Sequence, residues 1–508
     1  MVSQEPVNAV EETEEPKAPW TLAALAVMAV GMAMRLWFYL YDRSMGRDES
    51  ALALNIIRRS FAGLLKPLDN DQGAPIGFLM IEKLVVTVLG NHEYALRLIP
   101  VIASILALPL FYLLCREFLS QPFAVIGLIF LAMNEKQYDY CADAKQYSVD
   151  VFLTVGLLFL AMKAMGNPLR GTSPSRRGLM ALGVAGALAI WFSHPAAFVL
   201  GAIGVMAAME WFNRRPRAGI VREGFALRDL LVVALPWIAS FGVNYLVALH
   251  RLSHSQFMQT FWAEADAFAP VPRSMQALVW YKENFFEMFQ SACSLGFVGL
   301  SALVFVLGVG WLYRRRKSAA LALILPIAFA LAASVLHEYP FKERLILFIC
   351  PLVAISMGAG FVYLFEGQRR TVGIVALAFL LITPLNKTRG YVKKPWVHND
   401  MRGLVSLVGK NHRSDDQMYV YEFCYYPFEY YRDRFGLAQL PTVRGKQGIN
   451  SVEGYKSEFA GFKGKRVWVM FEEAPDSQQA ALMVLDEMGK RVFQAHSYDD
   501  YIACYDLR

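Results

Sequence analysis

Cysteine is scarce in this chain, and the six present, at 115, 141, 293, 350, 424 and 504, show none of the paired spacing of a metal site. Cys115 and Cys350 fall in or near apolar runs and read as small buried thiols. Cys424 and Cys504 could pair only if the tail is extracytoplasmic. The N-terminus lacks the basic stretch and small-residue cleavage site of a secretory signal. Residues 1–19 are instead polar, with Glu11, Glu12, Glu14 and Glu15 close together, and are expected to be disordered. No repeat relates the two halves, which weighs against a transporter or flippase. A compact basic patch is missing too. The net charge of +7 is spread over short gaps between apolar runs, as in Arg214-Arg215 and Arg314-Arg-Arg-Lys317. Such gaps set membrane topology, so no nucleic-acid partner is expected.

What the chain has in abundance is apolar length. Of its 508 residues 56% are hydrophobic, and the mean hydropathy is +0.34. A soluble protein of this size rarely reaches such values. Runs able to span a bilayer, or nearly so, lie at 20–41, 97–115, 121–135, 147–165, 179–193, 196–212, 229–250, 292–313, 319–336, 345–365 and 371–386. With the N-terminus inside, the loops 116–120, 163–178, 213–228, 314–318 and 366–370 are cytoplasmic and hold 16 Lys and Arg. The short loops on the other side hold only Lys136, Lys145, Lys342 and Arg344. The positive-inside rule then places the long loops 42–96 and 251–291, and the C-terminus, on the extracytoplasmic face. Pieces 50–65 and 75–89 of the first long loop are amphipathic and suited to the interface. From 387 the sequence is no longer membrane-like. Strands are expected at 418–421, 466–470 and 501–505, and a helix over 477–490, making 387–508 a small α/β domain.

Polar features gather at span ends on the extracytoplasmic side. Asp48-Glu49 follows the first span, and Asp69-Asn-Asp-Gln-Gly-Ala-Pro75 is a turn in the same loop. Asp143-Ala-Lys-Gln-Tyr147 opens the fourth span, Ser193-His-Pro195 ends the fifth, and His337-Glu-Tyr-Pro-Phe-Lys-Glu-Arg344 opens the tenth. Ionisable groups at membrane depth are costly and mark chemistry or an ion path. Each has a plainer reading. Asp48 and Glu49 could open a helix, Asp143 and Lys145 could pair locally, and Arg344 could snorkel to the interface. His194 could be a simple span-end residue, and Arg97 an interfacial anchor. Asp69 and Asp71 resemble a metal-binding doublet, but acidic pairs are common in turns.

The order of these features resembles the integral-membrane GT-C glycosyltransferases, in the branch of protein O-mannosyltransferases, aminoarabinose transferases and their bacterial family 39-type relatives. The resemblance rests on a span, Asp48-Glu49, an amphipathic helix, a Pro-containing turn, Ala95-Leu-Arg-Leu-Ile-Pro100 and Asp143-x-Lys145-x-Tyr147. It covers about residues 20–385 and is strongest in 44–115 and 136–155. It implies an all-α polytopic membrane protein of about eleven transmembrane helices carrying the C-terminal α/β domain. The donor implied is a sugar on a polyprenyl phosphate. The acceptor is a lipid, polysaccharide or protein, and a divalent cation is left open. Asp48 would be the base of an inverting transfer, with Glu49 and Asp143 as further candidate catalytic carboxylates. Arg344, Lys342 and Lys145 would grip the lipid phosphate, with Tyr147, His194 and Arg97 as further substrate-binding candidates. No metal ligand is assigned: this chain has Gly73-Ala-Pro75 where many relatives have His-Pro-Pro. It also has Asp143-x-Lys145 where many have Glu-x-Arg. In the tail, the aromatic run Tyr421–Tyr431 is expected to be core, with one ring facing the acceptor. The location implied is a plasma (inner) membrane, with site and tail on the periplasmic side.

Overall fold

A computed structural model describes residues 17–166, 172–213, 227–393, 399–472 and 474–508. The expected disorder of 1–19 falls almost wholly outside these, as do Arg170, Arg214, Arg215, Arg217 and Arg222 of the basic gaps. Every one of the eleven apolar runs is a helix. Eight helices among the described residues are long and apolar enough to cross a membrane: Pro19–Leu40, Leu98–Phe118, Tyr147–Met165, Leu227–Ser253, Val298–Arg315, Lys317–Val335, Glu343–Phe365 and Gly367–Lys393. The runs at 121–135, 179–193 and 196–212 form shorter helices, Gln121–Ala132, Arg176–Phe192 and Ala196–Asn213. The chain is a multi-pass membrane protein.

Position in the bundle follows from composition. The most apolar 18-residue stretch of Glu343–Phe365 is 89% buried, whereas that of Leu227–Ser253 is 17% buried, so the first is the central helix and the second a peripheral one. Close approach to the centre uses missing side chains. A Cβ on Gly308 would strike the Ser356 carbonyl, and one on Gly360 would strike that of Val304. Helices Val298–Arg315 and Cys350–Phe365 therefore meet backbone to backbone, as small residues permit in membranes. The short helix Gln121–Ala132 ends inside the protein, where unpaired carbonyls are costly. Arg35, fully buried on the first span, supplies the donors: it reaches Ala132 O at 3.1 Å, Leu131 O at 3.4 Å and Ser104 Oγ at 2.8 Å.

The first long loop folds into helices Arg47–Arg58 and Ile76–Leu89. Beyond the last span, the tail forms a five-stranded sheet: β1 (Gln417–Val420), β2 (Thr442–Arg444), β3 (Arg466–Glu472), β4 (Lys490–Ser497) and β5 (Asp500–Asp506). Strand order is β2-β1-β3-β5-β4, with β1 parallel to both neighbours and β5 antiparallel to both. Trp468 anchors the sheet core, its indole N–H donating to Asp416 at 2.8 Å. The tail is bolted to the first loop. Tyr431 Oη accepts from Met45 N at 2.8 Å and donates to Glu93 Oε1 at 2.9 Å, while Arg434 pairs with Glu93 and Arg402 with Asp42. All six cysteines are buried and free, so Cys424 and Cys504 form no disulfide.

Candidate active site

Asp48 and Glu49 both lie in the first turn of helix Arg47–Arg58, where the helix dipole favours negative charge. Consecutive helical residues point about 100° apart, and the two carboxylates have different surroundings. Glu49 is buried and saturated: Arg97 Nε and Nη2 donate to its two oxygens at 2.9 Å, Ala144 N at 2.9 Å and Gly46 N at 3.2 Å. Arg97, equally buried, also donates to Arg43 O at 2.7 Å. This bidentate pair ties the loop helix to the Asp143–Tyr147 segment. Burial opposes ionisation of Glu49, but Arg97 and Arg43 outweigh it and hold its carboxyl at about 2. Asp143, which takes a hydrogen bond from Arg43 Nη2 at 3.4 Å, goes the other way. Burial, then the Glu49 carboxylate, push it well above the ordinary range.

Asp48 is half-exposed onto a cavity of about 570 Å³. Its Oδ2 accepts from Arg344 Nη2. Burial works against the Asp48 carboxylate, yet Lys145, Arg344 and Arg47 overcome it and hold the carboxyl below its usual value. Lys145 is buried, and its Nζ donates to Gln72 Oε1 at 2.7 Å. Burial lowers the basicity of its ammonium, Asp48 raises it, and Arg344 lowers it again. Gln72 is presented by the Pro-containing turn, in which Asn70 and Asp71 take left-handed φ of 64° and 52°, conformations that Asn and Asp tolerate best. The segment that delivers Arg344 is similarly bent, with His337 at φ 59° and Glu343 at φ 41°. Strained residues of this kind cluster at functional sites.

The cavity thus brings together Asp48, Lys145, Tyr147, His194 and Arg344. Burial pulls the His194 imidazole down to about 4, so it is neutral at physiological pH. Glu49, Asp143, Arg97 and Lys342 do not line it. For Glu49 and Arg97 the reason is their mutual burial. Asp143 faces the same network, and Lys342 is drawn to Glu287 at 3.2 Å.

Two parts of the cavity wall escape sequence reading. Gln72 was signalled only by its turn. The wall from the tail, Glu422, Tyr426, Arg444 and Gln447, carries no motif; within the aromatic run, Tyr426 is the ring that reaches the cavity. Another part of the lining is apolar and aromatic, with Phe241, Tyr245, Phe257, Phe261 and Trp262. Asp69, of the Asp69–Asp71 turn, pairs with Arg59 at 2.7 Å. No group of three or more His, Cys, Asp or Glu able to hold a metal occurs among the described residues.

No protein-family model matches the sequence, and no curated protein sequence matches it. Solved structures do match. ArnT from Cupriavidus metallidurans bound to undecaprenyl phosphate superposes with a TM-score of 0.52 at 13% identity, covering 96% of this chain and 97% of that one. Its apo state gives 0.52 at 12% identity with the same coverage. The oligosaccharyltransferase AglB from Archaeoglobus fulgidus, in complex with an inhibitory peptide and a dolichol-phosphate, gives 0.48 at 10% identity over 94% of this chain and 74% of that one. On the end-to-end superposition with ArnT, this chain has the GT-C fold.

Proposed function

We propose that this protein is a membrane glycosyltransferase that moves a sugar from a polyprenyl-phosphate carrier to an acceptor nucleophile, with inversion at the anomeric carbon. The observation that carries this reading is the cavity in which Asp48 meets Lys145 and Arg344 beside an apolar, aromatic lining. Such a cavity suits a ligand with a phosphate at one end and a long hydrocarbon at the other.

In this reading Asp48 takes the proton of the acceptor hydroxyl as its oxygen bonds to the anomeric carbon. The bond from that carbon to the phosphate oxygen breaks, and polyprenyl phosphate leaves with the electron pair. Its leaving charge falls to Arg344 and Lys145, fixed cations that line the cavity. Tyr147 and His194, on the same wall, border the sugar. Glu49, Arg97 and Asp143 act as positioning residues: they hold the loop helix and the Asp143–Tyr147 segment in register. The Lys/Arg bias of the connecting loops supports an extracytoplasmic site and tail.

Incubating the purified protein with a panel of polyprenyl-phosphate sugars tests the reading. Release of polyprenyl phosphate with transfer or hydrolysis of one sugar supports it; binding of the lipid without turnover of any donor overturns it.

A further inference from the structure

Arg344 and Lys145 are not the only cations on the cavity. Arg47, the residue before Asp48, and Arg444 of β2 line it from the tail side. Both are organised around one carboxylate. Arg444 Nε and Nη2 donate to the two oxygens of Glu422 at 2.6 Å, and its Nη2 also reaches Tyr426 Oη at 3.0 Å. Arg47 Nη2 lies 3.8 Å from the same Oε1. Each guanidinium is also braced on a ring, Arg47 over Phe423 at 4.4 Å and Arg444 over Tyr425 at 4.6 Å.

The arrangement is donor-rich. Among the described residues no hydrogen bond engages the Arg47 side chain, and none engages Arg444 Nη1, while Glu422, their shared carboxylate, is already committed. Both arginines keep about a third or more of their side-chain surface exposed, at 35% and 42%. The Nε–Nη2 edge of Arg444 is held by Glu422, so the donors offered to a ligand are Arg444 Nη1 and the Arg47 guanidinium. Donors from separate elements match a tetrahedral oxyanion better than a flat carboxylate, which a single fork satisfies. The arginines come from different parts of the chain, and the docked tail brings them together.

Resting on the glycosyltransferase reading, we propose that Arg47 and Arg444 form a second anion subsite, which recognises a phosphate group on the acceptor. It is separate from the donor phosphate at Arg344 and Lys145. The acceptor is then a phosphorylated sugar, bound by its phosphate at the tail wall while one of its hydroxyls approaches Asp48. Acceptor selection therefore belongs to the C-terminal domain.

The test uses the full-length protein in nanodiscs of zwitterionic lipid. Undecaprenyl phosphate is titrated first; failure of wild type to bind it would count against the donor reading and leave the subsite separately measurable. With that lipid saturating, glucose 6-phosphate, inorganic phosphate and glucose are titrated. The expected result is binding of glucose 6-phosphate, weaker binding of inorganic phosphate, and none of glucose. Arg47→Gln and Arg444→Gln should each weaken glucose 6-phosphate by about ten-fold, the scale of a lost charge-assisted hydrogen bond, with undecaprenyl phosphate affinity unchanged. Arg58→Gln, which removes an exposed ion pair between the same loop helix and Glu429 of the tail outside the cavity, controls for seating of the tail and should bind within about two-fold of wild type. Equal binding of glucose and glucose 6-phosphate, or full glucose 6-phosphate affinity in both arginine variants, overturns the proposal. So does binding that disappears when Arg344 is replaced but persists without Arg444, because the anion then sits at the donor site.

Discussion

Asp48 Oδ2 accepts a hydrogen bond from Arg344 Nη2 across 296 residues of sequence. The contact joins the first turn of a loop helix to the strained segment leading into the central helix. It also gives the candidate base a partner that a phosphate would compete for. On the proposed function, a lipid phosphate engaging Lys145 and Arg344 would share two of the three cations that depress the Asp48 carboxyl, and Asp48 would become a stronger base.

That competition has a pH signature. On the proposed mechanism the ionised Asp48 is the active form, and Lys145, Arg344 and Arg47 hold its carboxyl below the usual value. Activity on kcat/KM should therefore rise with pH through an acid limb lying below the ordinary carboxylate range and stay level above it. Arg344→Gln removes one of the depressing charges, so the acid limb should move to higher pH. A limb that stays in place in the variant, measured as kcat/KM against pH, would contradict the assignment.

Arg344 and Lys342 are two residues apart yet differently placed. Arg344 lines the cavity, while Lys342 pairs with Glu287 away from it. Arg344→Gln is expected to weaken undecaprenyl phosphate binding by about ten-fold or more. Lys342→Gln should leave it within about two-fold, as exposed ion pairs contribute little. Titration of the lipid into both variants checks the contrast.

Glu49→Gln should act on folding first. It leaves Arg97 buried without a counter-charge, and breaking a buried pair costs about 3–5 kcal/mol. Thermal unfolding in detergent should show a markedly lower Tm, whereas Asp48→Asn should unfold close to wild type.

The same pair responds to acid. The folded Glu49 carboxyl sits at about 2, against an ordinary value of 4.5. Folding thus favours the ionised form, and the unfolded chain binds the extra proton as pH falls. The stability contributed by Glu49 is complete above about pH 4.5 and lost as pH falls through 2. Asp143, whose carboxyl is pushed up, works in the opposite sense. Tm measured between pH 7 and 2 should fall through this window in wild type, and the part due to Glu49 should be missing in Glu49→Gln.

Tyr431→Phe tests the seating of the tail. Its hydroxyl is the partner of both Met45 N and Glu93 Oε1. Loss of it leaves a buried N–H unsatisfied, a cost of about 1–3 kcal/mol. Limited proteolysis should cut the variant faster near the domain junction.

The helical framework was legible because apolar length is a composition signal, and all eleven runs became helices. Strands β1, β3 and β5 were legible for a similar reason: they are buried and rich in aromatic and branched residues. Strand β4 was not. Lys490–Ser497 is an edge strand of alternating partial exposure, with Lys, Arg, Gln and His among its residues. The site was legible in part. Asp48, Lys145, Tyr147, His194 and Arg344 stand at span ends, and the bundle gathers span ends on one cavity. The different surroundings of Asp48 and Glu49 were hidden, because neighbours in sequence share every local signal, and they are separated by long-range partners, Arg97 and Ala144 for Glu49 and Arg344 for Asp48. The Gln72–Lys145 bond and the tail wall depend on long-range docking that no local pattern encodes.

The proposed role of Asp48 as the base of a sugar transfer is open to a decisive comparison. The most direct test compares wild type with Asp48→Asn for turnover of a polyprenyl-phosphate sugar, while lipid affinity is measured on the same samples. The expected result is turnover by wild type and a loss of about 10²–10⁴-fold in the variant, with polyprenyl phosphate still bound. Undiminished turnover by Asp48→Asn would rule that role out.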